Sequence, residues 1–259
     1  MGHQRIGTLP DTAPWRQIVR LLAEGTETDT VAAATTQATT EGLRLAQADE
    51  GLVCCVLFLV RLVQAARQPD FGDALEQAGI LTGPNADLFT LIAGFSDAID
   101  ARLHAHTGRT DIGEMAQLAA IESLTALLRQ RSEGLYEADP ADVHRAARTL
   151  STRKGFAGLA HDFFARFTQR FLTYHLGREL PLHVGANGRF AHPDDHDAFV
   201  ERLGVHCREA AAIMRNFAGD WYDKANANGG VTLPKVRGFV GHAIDKLQRE
   251  LISRGQRDG

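Results

Sequence analysis

The chain has 259 residues, enough to bury a substantial core as one large domain or two smaller ones. Apolar residues at 44% and charged residues at 23% are ordinary for a soluble globular protein, and a net charge of −4 favours neither nucleic acid nor an anionic membrane as partner. That charge is unevenly spread: residues 1–130 carry 9 Lys/Arg against 16 Asp/Glu, residues 131–259 carry 19 against 16, and the split points to two units with different surroundings.

Arginine outnumbers lysine and alanine is abundant, a composition expected of a bacterial chain from a GC-rich genome. Cys54, Cys55 and Cys207 form no CxxC pair and cannot make a disulfide framework, so a reducing cytoplasm is the expected location. The opening MGHQRIGTLPDTAPW lacks the apolar core of a secretory signal, and Ile6 stands where a myristoylation motif needs Ser or Thr.

Strand signals are scarce and helical ones recur along the chain. Pro10, Pro14 and Trp15 lead into a short helix around 14–24. TETDTVAAATTQATTEG is ambiguous, because β-branched threonines weaken a helix that the alanines favour. Residues 41–67 predict one long helix, stopped by Gln68-Pro69-Asp70. Its apolar run, Leu52 to Val60, is nine residues long, whereas a membrane span needs roughly 20; a buried core helix is expected and no membrane contact. DALEQAGI reads as a short amphipathic piece and residues 83–85 as a turn. Residues 86–106 place Leu88, Leu91, Ile92, Phe95 and Ile99 on one helical stripe, and 111–130 repeat the pattern.

RSEGLYEADP reads as a connector, and Asp139-Pro140 as a helix start. From about residue 155, Phe156, Ala160, Phe163, Phe167, Phe171 and Tyr174 share a helical stripe. One helix is then expected over 194–223, a turn at Asn228-Gly229-Gly230, and a last helix opening at Thr232. The fold class read from this is all-α: a helical bundle without coiled-coil heptads, in two lobes. The boundaries are 1–130 for an acidic N-terminal lobe, 131–155 for a connector with a short helix, and 156–259 for a C-terminal lobe.

Three groups of residues raise a functional question. HPDDHDAFVERLGVHC, residues 192–207, is rich in metal-binding residue types. On a helix, however, His196 and His206 stand about 15 Å apart and about 80° around the axis, too far to share a metal. His192, Asp195 and His196 remain as metal candidates, against the simpler reading of an aspartate-rich helix start. A basic stretch from Arg145 to Arg178 supplies Arg145, Arg148, Arg166 and Arg170 as a candidate phosphate-contacting patch, against pairing with the acidic first half. Trp221, Tyr222 and Lys224 form a candidate protein-contact spot, against a hydrophobic plug between two helices.

Other matches carry less. His104-Ala105-His106 lies on a helical pattern, whereas a metal-binding HxH needs a strand. Ser151-Thr152-Arg153-Lys154 fits S-x-x-K without its companion motifs, and no Gly-rich phosphate loop is present, so no catalytic residue and no cofactor is expected.

HCREAAAIMRNFAGDWYDKANANGG, followed by a capped amphipathic helix, resembles a pattern in uncharacterised helical bacterial proteins, over residues 156–251. The resemblance implies a helical fold; no activity is known for such proteins, so it carries over no catalytic residue. The expected function is that of a non-enzymatic helical protein working through protein contacts or self-association, as adaptor, subunit or regulator of a bacterial multi-component system. A metal-dependent hydrolase and a helical nucleic-acid-binding module are the alternatives.

Overall fold

The computed structural model describes residues 12–83, 86–106, 108–131, 139–185 and 188–255. Among them there is no strand or sheet, only an isolated bridge between Val184 and Phe190. The helices are α1 (Ala13–Ala23), α2 (Thr28–Ala38), α3 (Thr40–Gln47), α4 (Glu50–Ala65), α5 (Phe71–Gln77), α6 (Leu88–His106), α7 (Asp111–Arg131), α8 (Pro140–Leu150), α9 (Arg153–Leu176), α10 (Pro193–Ala210), α11 (Met214–Ala227) and α12 (Leu233–Gly255), with 3₁₀ turns at Leu180–His183 and Ala211–Ile213.

Two helices form the centre. The run from Gly51 to Val60 is buried on every side, so α4 is apolar all round and is enclosed by α5, α6, α7, α8 and α12. Among the described residues no helix is long and apolar enough to cross a membrane. The second central helix, α9, buries its phenylalanines against α7, α8, α10 and α11. Because α7 packs on both α4 and α9, the buried cluster is continuous from Trp15 to Leu251. Helices from both sides of the boundaries at 130 and 156 contribute to this cluster.

Close backbone approaches set this arrangement. A β-carbon on Gly51 would lie 2.5 Å from Gly113 Cα, so α4 and α7 touch at a glycine pair. A β-carbon on Gly255 would overlap Ala33 and lie 2.5 Å from the Asp29 carbonyl oxygen, which locks the end of α12 onto α2.

Local chemistry explains where elements break. The helix expected over 41–67 is two, because Asp49 leaves the helical conformation and its carboxylate accepts the Leu52 amide at 2.9 Å, starting α4 afresh. The ambiguous Thr/Ala segment is the helix α2. Its buried threonines return their hydroxyls to carbonyls one turn back: Thr35 to Val31 at 2.7 Å and Thr36 to Ala32 at 2.8 Å. That removes the penalty of a buried hydroxyl without breaking the helix. The helix expected over 194–223 is likewise interrupted by the 3₁₀ turn Ala211–Ile213, and α11 runs on to Ala227. Asp139 caps α8 through the Ala141 amide, and Gly229 and Gly230 make the expected turn with φ of +79° and +81°. The connector 132–138 lies outside the described residues.

Candidate functional site

The stretch from His192 to Cys207 is α10 and its N-terminus. His192 itself, in an extended conformation, is the N-cap, and the Asp195 carboxylate accepts the His192 amide at 3.0 Å. Asp194 and Asp195 occupy the first turn, where carboxylates oppose the positive end of the helix dipole. His196 turns its Nδ1 to Asp197 at 3.1 Å and its ring edge-on to Phe190. Among the described residues no three His, Cys, Asp or Glu side chains are grouped as a metal site requires; His192, Asp195 and His196 are not brought together as one.

The far end of the stretch points inward. His206 is 2% exposed and places Nδ1 2.9 Å from the Asp29 carboxylate of α2. Burial pushes the His206 pKa down against the pull of Asp29, so the ring is neutral at neutral pH and donates Nδ1–H to Asp29. A cavity of about 270 Å³ lies beside this pair, with Glu27, Arg202 and Glu209 on its wall. Cys207 is fully buried, and burial drives its thiol far above the ordinary range, so it is no thiolate nucleophile. Asp29 was not legible as the partner of His206, because 177 positions separate them and only the α2–α10 packing brings them together.

The basic stretch is largely neutralised from within. Arg166 Nε donates to Asp162 at 2.7 Å, and its Nη1 reaches Glu122 of α7 at 3.4 Å. Arg170 pairs with the same Glu122, and Arg145 with Asp142 one turn before it. Arg148 is exposed. The basic residues therefore do not form a continuous phosphate-facing stripe along α9.

The aromatic pair splits, because neighbours on a helix point about 100° apart. Tyr222 is completely buried, stacked on Phe156 at 4.4 Å under the Arg67 guanidinium. Arg67 also donates to the Ser151 carbonyl at 2.7 Å, so this cluster ties the end of α4 to the α8–α9 corner. Tyr222 cannot meet a partner from that position, which corrects its expected role in protein contact. Trp221 is half-buried against Phe239 at 4.2 Å; Lys224 is exposed. The plug between helices is the arrangement found.

The apolar surface lies elsewhere. Of the 13 phenylalanines only Phe89 stands in solvent, 80% exposed in the first turn of α6. Leu81 is 73% exposed, and its carbonyl rests on Gly94 of the same helix, where a β-carbon would lie 2.5 Å away. Asp87, at the start of this helix, accepts the Thr90 amide at 2.7 Å, and Asp97 is exposed two turns beyond Phe89. The sequence carried a signal for this: Phe89 is a large apolar residue off the stripe formed by Leu88, Leu91, Ile92, Phe95 and Ile99. Compared with protein-family models, with curated proteins and with solved structures, the chain matches none of them.

Proposed function

We propose that this chain is a non-enzymatic helical protein that works through contact with another protein, as an adaptor, subunit or regulator of a bacterial multi-component system. One observation carries the reading: Phe89 in the first turn of α6, and Leu81, whose carbonyl rests on Gly94 of that helix, are left in water while every other phenylalanine is buried or half-buried. Burying the two side chains against a partner would supply about 3–6 kcal/mol, at about 1.5–3 kcal/mol each. Asp87, just before α6, and Asp97 on it call for a partner that rims an apolar pocket with Lys or Arg. Three unpaired, buried cysteines support a reducing compartment such as the cytoplasm.

The metal-hydrolase reading draws no support from His192, Asp195 and His196: they are not grouped as a metal site requires, the Asp195 carboxylate caps the His192 amide, and His196 turns Nδ1 to Asp197. Nor does the nucleic-acid reading gain from Arg166 and Arg170, which Glu122 and Asp162 already hold. The test is quantitative co-purification from the native host with wild type and Phe89→Glu, alongside sedimentation of the purified chain. A stoichiometric partner retained by wild type and lost by Phe89→Glu is the expected result. The same proteins retained by both, or no partner and a concentration-independent monomer, would overturn the reading.

A further inference from the structure

A cavity of about 780 Å³ opens where the end of α7, the α8–α9 corner and the side of α11 meet. Four cationic side chains line it: Arg131 from α7, Arg153 and Lys154 from the first turn of α9, and Arg215 from α11. Among the described residues Asp220 is the one carboxylate on the wall, and it is paired with Arg153. Two of the arginines are fixed from behind. Arg131 donates to the Leu127 carbonyl at 3.1 Å, and Arg215 to Nδ1 of His161 at 3.1 Å. His161 gives its other nitrogen to the Arg208 carbonyl at 2.9 Å, and burial lowers its pKa, so the neutral ring holds Arg215 without cancelling its charge. Each guanidinium has five N–H donors, and the anchors found among the described residues use few of them.

The helix beneath adds to this. The first turn of α9 holds no acidic residue and instead carries Arg153 and Lys154, cations at the positive end of a 24-residue helix. An anion seated there relieves both the like charges and the dipole. Gly158 lies one turn further on, facing the cavity, and a β-carbon on it would meet no heavy atom within 4 Å. A glycine that packing does not require leaves room above the helix, whose floor continues in Ala157.

We propose that this cavity binds a small organic phosphate monoester, its phosphate held by Arg131, Lys154 and Arg215 and its organic body lying over Ala157 and Gly158. Three positive charges without an ion pair among the described residues match the dianion of a phosphate monoester better than a single carboxylate. The volume is that of a small-molecule site. A nucleic-acid strand is disfavoured, because the next arginines along α9, Arg166 and Arg170, are held by Glu122 rather than extending the basic surface.

Isothermal titration of the full chain with phenyl phosphate and with inorganic phosphate tests the site. Phenyl phosphate is expected to bind saturably at one site. Lys154→Glu combined with Arg215→Glu should weaken it by at least about tenfold, with Arg145→Glu, outside the cavity, unchanged. At Gly158 a β-carbon meets no heavy atom within 4 Å, so Gly158→Leu projects its side chain into the cavity; it should exclude phenyl phosphate while inorganic phosphate still binds. Absence of saturable binding up to about 10 mM phenyl phosphate, or equal binding by wild type, the double variant and Gly158→Leu, would overturn the proposal. So would a single-stranded oligonucleotide that binds more tightly than phenyl phosphate with steep salt dependence, which would make this a nucleic-acid surface.

Discussion

Replacing Gly155 and Gly158 by alanine, one at a time, makes the same chemical change three residues apart on α9 and should move stability in opposite directions. At Gly158 the new methyl meets nothing within 4 Å, so the change removes only the entropy cost of a mid-helix glycine. The expected gain is about 0.5–1 kcal/mol. At Gly155 the methyl would overlap the Thr149 carbonyl oxygen and lie 2.8 Å from Leu150 Cα. These are backbone atoms and cannot swing aside, and the same carbonyl already accepts the Thr152 hydroxyl at 2.9 Å. Relief requires moving the α8–α9 corner, an overpacking cost of about 1–3 kcal/mol that exceeds any helix-propensity gain. The two variants should therefore differ by about 1.5–4 kcal/mol, with midpoints displaced by about 2–4 °C per kcal/mol in a chain of this size. Urea unfolding followed by far-UV circular dichroism, with a common m-value, measures it. A Gly155→Ala variant as stable as wild type, or a destabilised Gly158→Ala, would refute the reasoning.

Three further outcomes follow from burial and pairing. Burial among Trp15, Phe171 and Tyr174 pushes the His175 pKa down to about 4. The unfolded chain, titrating near 6.5, then binds the proton first, so stability is full above that value and is lost as pH falls toward 4; His175→Phe should flatten the slope of unfolding midpoint against pH. Burial likewise pushes the Cys54 thiol up to about 11 and those of Cys55 and Cys207 upward too, so a thiol reagent should leave the native protein unreacted over minutes and label all three in denaturant. Glu122→Gln frees Arg170 and one contact of Arg166, and should raise retention on a heparin column in a salt-sensitive manner; unchanged retention would show that Glu122 is not what neutralises them.

What the sequence revealed follows the range over which each signal acts. The helical stripe of Phe156 to Tyr174, the Asp139 start of α8 and the Asn228-Gly229-Gly230 turn are local in origin, and each is found where periodicity and capping chemistry put it. The breaks at Asp49 and at Ala211 were hidden because the residues on either side are good helix formers; at Asp49 a single carboxylate-to-amide bond marks the restart. The cationic cavity was out of reach for a different reason. Arg153 and Lys154 were visible as part of a basic stretch, but Arg131 and Arg215 come from helices 22 residues before and 62 residues after Arg153. Tyr222 shows the opposite error of reach: its neighbour Trp221 suggested a surface, and one helical step of rotation placed it in the core.

The contact between α2 and α12 bears on the order in which the chain can be completed. Ala33 and the Asp29 carbonyl are covered by Gly255, and Thr40 takes a hydrogen bond from Gln248, so the early helices find their lid more than 200 residues later. During synthesis the first helices must wait, with apolar faces open, until α12 has left the ribosome. Residues 1–130 carry 16 Asp/Glu against 9 Lys/Arg, and like net charge on two such open segments opposes their association.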